Sequence, residues 1–281
     1  MRQPPTRGSW LVDMVVFPNA KINIGLQITE KRADGFHNIE SCFVPVGWSD
    51  VLEITEDESF GFVSSGLAIP GDPATNLCVR AYQILQKDFD LPPVRMHLHK
   101  VVPIGAGLGG GSADAAFALT LLNTKFDLNL SFEQLENYAR PLGSDCAFFI
   151  QNKPKFCYDK GDQFTAISLD LRGKHLVLVY PNIHISTAEA YAGVQPKSPE
   201  TDLRAAIQSP MSNWRQIIKN DFEDALFVKY PVLAQTKQTL YQIGATYASM
   251  TGSGSTLYGI FDAEPDLPNY FGGFLVWQGK F

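Results

Sequence analysis

Five glycines fall among the seven residues Gly105-Ala106-Gly107-Leu108-Gly109-Gly110-Gly111, and Ser112 follows at once. Without Cβ atoms these positions leave their backbone amides unshielded, and the Ala-rich stretch Ala113 to Leu122 reads as a helix aiming its positive end at them. Such a junction is an anion site, and phosphate is its usual guest. The stretch also satisfies G-x-G-x-x-G from Gly105 to Gly110, the dinucleotide-binding pattern. That pattern expects an acidic ribose ligand about 20 residues beyond the loop, whereas Lys125 to Leu130 is no apolar strand leading to one. Nor is this a Walker A loop, because Ser112 stands where a lysine would follow the last glycine. A different phosphate loop is required.

Other residues could carry charge into such a site. Lys21 sits in an apolar, strand-like run, where an ammonium is costly without a partner. His97 and His99 share a strand face, but with no third ligand at useful spacing they read as surface or cross-strand packing rather than a metal pair. Cys42, Cys78, Cys146 and Cys157 lack CxxC spacing, which favours free thiols in a reducing, cytoplasmic compartment. The net charge of −6 argues against nucleic acid as a partner, since tracking its backbone needs clustered Lys and Arg. The chain has no apolar run of about 18 residues to enter a membrane. An anionic small molecule would therefore be held by local groups, and residues 1–13 carry no strand or helix pattern and look dispensable.

The elements that must position these groups are partly legible. Met14 to Leu26 and Cys42 to Ile54 alternate like strands, the second with a break at Gly47, and Lys31 to His37 forms a charged loop turning at Asp34-Gly35. A helix is predicted over 76–87, a strand over 95–102 stopped by Pro103, and a buried helix opened by Ser112. Ser131 with Gln134 and Ser186 with Glu189 fit capping boxes. A second unit starts near Phe164, with a strand over 175–180, helices over 213–219 and 233–243, and a small-residue loop, Thr251-Gly252-Ser253-Gly254, running into a strand over 256–261. Mixed strands and helices without regular alternation predict an α+β fold.

The phrase from Pro103 to Ala113 resembles the ATP-binding motif of the galactokinase, homoserine, mevalonate and phosphomevalonate (GHMP) kinase superfamily. Pro18-Asn19-Ala20-Lys21-Ile22-Asn23, Arg32-Ala33-Asp34-Gly35-Phe36-His37, Leu142-Gly143-Ser144-Asp145 and Thr251-Gly252-Ser253-Gly254 occur in the order seen in its diphosphocytidyl methylerythritol kinases. The resemblance spans residues 14–261. It implies a two-domain α+β kinase, with a ribosomal protein S5 domain 2-like part at 14–163 and a ferredoxin-like part at 164–281. It further implies transfer of the γ-phosphate of ATP to the 2-hydroxyl of the methylerythritol unit, in the non-mevalonate route to isoprenoids.

The resemblance assigns roles residue by residue. Asp145 would be the general base and Lys21 the catalytic lysine, each supplying the other's partner. Pro103, Ile104, Gly105, Ala106, Gly107, Leu108, Gly109, Gly110, Gly111, Ser112 and Ala113 would hold ATP. Ser112 would cap the helix and offer its hydroxyl to Mg²⁺ or the β-phosphate. On the acceptor side Phe36 would stack on cytosine and His37 bond its edge, Asn23 would face the methylerythritol phosphate, and Thr187 and Tyr191 would line the site, Tyr191 replacing a common Phe. Thr251, Gly252 and Ser253 would close over the acceptor. The chain is expected to act as a monomer or weak homodimer. Three readings stay open: a kinase of mevalonate or homoserine, a Rossmann oxidoreductase, and a nucleotide-binding regulator without catalysis.

Overall fold

The computed structural model describes residues 14–267 and 269–281, so the segment 1–13 expected to be dispensable lies outside it. The chain opens with strands β1 (Met14–Val16), β2 (Asn19–Lys31), β3 (His37–Ser49), β4 (Val51–Glu56) and β5 (Gly61–Gly66). The first apolar stretch is cut at Phe17-Pro18, where proline lacks a ladder donor. The break expected at Gly47 falls instead at Asp50, between β3 and β4. That carboxylate is fully buried and accepts from the amides of Val101 and Val102 and from Lys100 Nζ, so a polar anchor, not a glycine, sets the corner.

Next come α1 (Leu77–Gln86), β6 (Val94–Lys100), α2 (Gly110–Lys125), α3 (Phe132–Ala139) and α4 (Cys146–Gln151), then the hairpin β7 (Lys155–Tyr158) and β8 (Gln163–Ala166). Asn76 caps α1 by accepting from the Cys78 amide, and the Ser131–Gln134 capping box of α3 is complete in both directions. As its small and apolar residues predict, α2 is buried on most faces, from Ala113 to Leu122. It packs with α1, α3 and α4 against Leu52, Ile54, Met96 and Leu98 to make the first core.

Two four-stranded sheets result, ordered β1-β4-β6-β5 and β2-β3-β7-β8. Among the described strands of these two sheets only the β5–β6 pairing is parallel, so the strand that feeds the glycine loop does not open the parallel sheet a Rossmann fold needs. The chain leaves the second sheet at Ala166 and enters a third through β9 (His175–Tyr180). Then follow α5 (Thr187–Ala192), α6 (Leu203–Gln208), α7 (Met211–Ile217), α8 (Phe222–Lys229), α9 (Pro231–Gln242), β10 (Tyr247–Met250), β11 (Leu257–Phe261) and β12 (Leu275–Lys280).

The third sheet is antiparallel in the order β10-β11-β9-β12, the strand order of a ferredoxin-like unit. Its second crossover, 262–274, carries no helix among its described residues. Only half of the second expected capping box forms. Ser186 accepts from the Glu189 amide, but the Glu189 carboxylate turns to Lys229 and Tyr230 instead. On sheet one, His97 and His99 are bridged by the Ser65 hydroxyl, a cross-strand contact between β5 and β6. Among the described residues no helix is long and apolar enough to cross a membrane.

Candidate active site

The glycine loop runs from the end of β6 to the start of α2. Gly105, Gly107 and Gly109 have φ of 65°, 80° and 71°, a region side chains rarely tolerate. Because Gly109 can adopt this left-handed turn, the helix begins immediately after it, with the Ala113 amide bonding the Gly109 carbonyl. Ser112 is therefore the third residue of α2 and not its cap, which corrects the sequence expectation. No side chain caps this helix, so its first amides and the positive end of its dipole are available to an anion.

Two cavities meet at the loop. The first, about 400 Å³, is lined by Phe62, Ile69, Asn76, Lys100, Pro103 and Ile104 among others. The second, about 560 Å³, is lined by Lys21, Asp145, Lys160, His184, Thr187 and Tyr191 among others. Gly105, Gly107, Gly109 and Ser112 face both. Of the remaining predicted loop residues, Ala106, Gly110 and Gly111 line the first cavity, while Leu108 and Ala113 are buried in the core. Leu108 serves the site through its carbonyl, which accepts from the Lys21 amide at 2.9 Å.

Lys21 lies on β2 with only 3% of its surface exposed. Its Nζ donates to Asn23 Oδ1 at 2.6 Å and to the Gly107 carbonyl at 3.2 Å, and stands 3.4 Å from Asp145 Oδ2. The ammonium also sits 4.7 Å from the centroid of the Phe43 ring. A buried ammonium is tolerable only when satisfied in this way. Asp145 occupies the N-cap position of α4 but makes no side-chain capping bond, leaving its carboxylate for Lys21 and the cavity. Glycine is favoured opposite, since Gly109 has a φ of 71° and a Cβ there would lie 3.1 Å from Lys21 and from Phe149, which would have to give by a few tenths of an ångström.

The remaining predicted residues fall into two groups. Asn23, Thr187, Tyr191, Gly252 and Ser253 line the second cavity. Asn23 is 2% exposed and also donates to Ser41 Oγ, so much of its amide is committed to holding Lys21. Thr251 is fully buried behind the cavity wall, where its hydroxyl reaches Asn23 Oδ1 and the Gly107 carbonyl, the same two acceptors that Lys21 uses. Phe36, 60% exposed, stands outside the lining with Lys160 5.6 Å from its ring. His37 stacks on Tyr191 at 4.6 Å and 19°, and burial, with help from Lys31, holds its imidazole below the usual value. Burial pushes the Tyr191 phenol up to about 12.

Sequence reasoning missed a buried charge cluster under the first cavity. Lys100 Nζ donates to Asp50 at 2.5 Å and to Asp114 at 2.8 Å. Burial pushes the Asp114 carboxyl up to about 7 even though Lys100 pulls the other way, and its second oxygen has no partner. Burial also works against the Lys100 ammonium, but the two carboxylates outweigh it and raise its value. Asp114 is the one charge between Ser112 and Leu122, and that isolation was the signal available. Lys160 and His184 were missed too, because nothing in their local sequence distinguishes them from solvated loop residues.

Comparison with known proteins now decides the family. The model of the GHMP kinases N terminal domain matches residues 76–153, and that of the GHMP kinases C terminal domain matches 202–268. The 4-diphosphocytidyl-2-C-methyl-D-erythritol kinase of Bacteroides thetaiotaomicron is 51% identical over 259 residues, 91% of this chain and 94% of that one. The chain belongs to the 4-diphosphocytidyl-2-C-methyl-D-erythritol kinase family. A second member of this kinase family, from Cytophaga hutchinsonii, is 49% identical and covers 90% of this chain and 94% of its own length. A crystal structure of a 4-(cytidine 5'-diphospho)-2C-methyl-D-erythritol kinase superposes with a TM-score of 0.76 at 27% identity, covering 88% and 90% of the two chains. The mevalonate kinase of Methanococcus jannaschii, at 12% identity and TM-score 0.67 over 97% and 98%, shares the fold. The chain is thus a GHMP kinase, of a family that uses ATP as co-substrate.

Proposed function

We infer that this kinase transfers the γ-phosphoryl group of ATP to the 2-hydroxyl of 4-diphosphocytidyl-2-C-methyl-D-erythritol, on the non-mevalonate route to isoprenoids. The observation that carries the reading is the meeting of two cavities across one glycine loop, with Lys21 and Asp145 on the acceptor side of it. ATP lies in the first cavity with its phosphates on the loop amides and the start of α2. The acceptor lies in the second, with its 2-hydroxyl at Asp145. The hydroxyl oxygen attacks the γ-phosphorus as its proton passes to the Asp145 carboxylate. The bond from the γ-phosphorus to the bridging oxygen breaks, and ADP leaves. The Lys21 ammonium orients the Asp145 carboxylate and draws charge from the attacking oxygen.

Ser112 fits Mg²⁺, since this residue with its hydroxyl lies in the wall common to both cavities and the ion takes few protein oxygens beside phosphate and water. When bound, the ion neutralises phosphate charge. At the far end the His37–Tyr191 stack offers a flat aromatic surface to a pyrimidine, with the exposed Phe36 as a second ring and Lys160 beside it for the diphosphate. Residues 14–163 supply the ATP-binding half and 164–281 the other wall of the cleft. A coupled ADP-release assay should show turnover of the diphosphocytidyl acceptor and none of mevalonate or homoserine. Turnover of mevalonate in its place would sink the assignment.

A further inference from the structure

Each alternate glycine of the loop makes room for one group from outside it. A Cβ at Gly109 would meet Lys21, and a Cβ at Gly107 would lie 2.1 Å from the Thr251 carbonyl oxygen. At Gly105 the neighbour is His184, whose Cε1 and Nδ1 would be 2.9 and 3.0 Å from the added carbon. Lys21 and Thr251 belong to the hydrogen-bonded centre already described. The imidazole holds the matching position at the opposite end of the loop.

His184 lies between β9 and α5, is exposed, and lines the second cavity but not the first. Its ring nitrogens make no hydrogen bond to another described residue. The Glu189 carboxylate of α5 is committed to Lys229 and Tyr230. We propose that His184 is a further phosphate-contacting residue of the reaction, donating a ring N–H to the phosphoryl group as it arrives on the acceptor side of the loop. This rests on the kinase reading above. Gly105 faces both cavities, so a phosphoryl group crossing the loop passes it, and the donor beside Gly105 stands only on the side where the group ends. Such a donor contacts little of the unphosphorylated acceptor and more of the transition state and product, which is the differential binding that raises turnover. Either protonation state of imidazole can supply the donor.

The alternative is that His184 only packs against Gly105, and ring-preserving substitution separates the two. In the full-length kinase, His184→Ala and His184→Phe should each lower kcat by roughly 10- to 100-fold, as expected for losing a hydrogen bond to a charged group. The KM of the acceptor should stay within about twofold, because the transferring phosphoryl group is not yet on that side and the acceptor's own diphosphate is assigned to Lys160 rather than to His184. His184→Gln, which keeps an N–H donor, should recover part of the loss. By titration calorimetry, affinity for the phosphorylated product should fall in the Ala and Phe variants while affinity for the acceptor does not. Wild-type turnover in His184→Phe, or equal loss of acceptor and product affinity, would overturn the proposal. A parent enzyme that does not phosphorylate the acceptor would instead overturn the kinase reading.

Discussion

Gly107 and Gly173 share a φ of 80° and differ in what surrounds them, so replacing each by alanine separates backbone strain from loop contact. At Gly173, in the exposed turn before β9, a Cβ meets nothing within 4 Å. Gly173→Ala should therefore cost only the left-handed backbone penalty, about 1–2 kcal/mol. At Gly107 the Cβ would fall 2.1 Å from the Thr251 carbonyl oxygen, and that neighbour is backbone, which cannot rotate away. The two loops must part by about 1.3 Å or more to reach ordinary contact, which begins at 3.4 Å. The Gly107 carbonyl is the acceptor shared by Lys21 Nζ and Thr251 Oγ1, so the displacement moves the ammonium relative to Asp145. Misplacement by about 1 Å at a reacting centre costs on the order of 10² in rate. Urea unfolding should show a loss in Gly107→Ala exceeding that in Gly173→Ala, by roughly 1–3 kcal/mol for an overpacked contact. The ADP-release assay should show a fall in kcat of about 100-fold in Gly107→Ala and little change in Gly173→Ala. Equal stability losses with equal turnover would refute the argument that this contact sets the catalytic geometry.

Lys21→Met and Asp145→Asn should each lower kcat by about 10²–10⁴ with modest change in the acceptor KM, since both groups act on the moving proton and phosphoryl charge; near-normal turnover in either refutes the assignment. Phe36→Ala should raise the acceptor KM by roughly tenfold and leave the ATP KM unchanged, as measured by varying each substrate in turn. Burial pushes the Asp114 carboxyl up to about 7 from an ordinary 3.8, so the folded state holds that proton more tightly than the unfolded chain does. Its stabilising share is complete below about pH 4 and is lost as pH rises through about 7. The thermal midpoint of Asp114→Asn relative to the parent should accordingly rise between about pH 5 and about pH 8, and a flat difference would contradict this.

Local signals made the phosphate loop readable, since a run of glycines before an Ala-rich helix constrains the backbone without help from distant residues. The helices with side-chain caps, at Asn76 and Ser131, were readable for the same reason. Lys21 could be singled out because a lysine amid isoleucines needs a partner, but which carboxylate answers it depends on β2 meeting α4, more than a hundred residues later. The strand break was misplaced because glycine is a local cue, whereas Asp50 ends β3 through partners at 100–102 that only the folded sheet supplies. Ser112 looked like a cap because serine usually is one, yet a left-handed glycine starts the helix before it. His184 was illegible, because its significance comes wholly from lying against Gly105.

Thr251 shows how the halves of the chain share one piece of chemistry. The loop that carries it is gripped from behind at the start of α8. Asn220 Nδ2 donates to the carbonyls of Met250 and Gly252, both at 2.8 Å, while Glu223 Oε1 accepts from the Met250 amide at 2.8 Å. The peptide before Thr251 and the one after Gly252 are therefore held in place. The Thr251 hydroxyl is thereby aimed at Asn23 Oδ1 and the Gly107 carbonyl, the two oxygens that also orient Lys21. Lys21 comes from β2, Gly107 from the loop after β6, and Thr251 from the turn between β10 and β11, so no one sheet can assemble the centre alone. A buried ammonium holds one direction only while all its acceptors hold theirs, because each lost partner leaves a charge to reorient. In the proposed mechanism the small-residue loop therefore acts through what it fixes: Gly252 and Ser253 face the second cavity, and Thr251 holds the two acceptors that orient Lys21 beside Asp145.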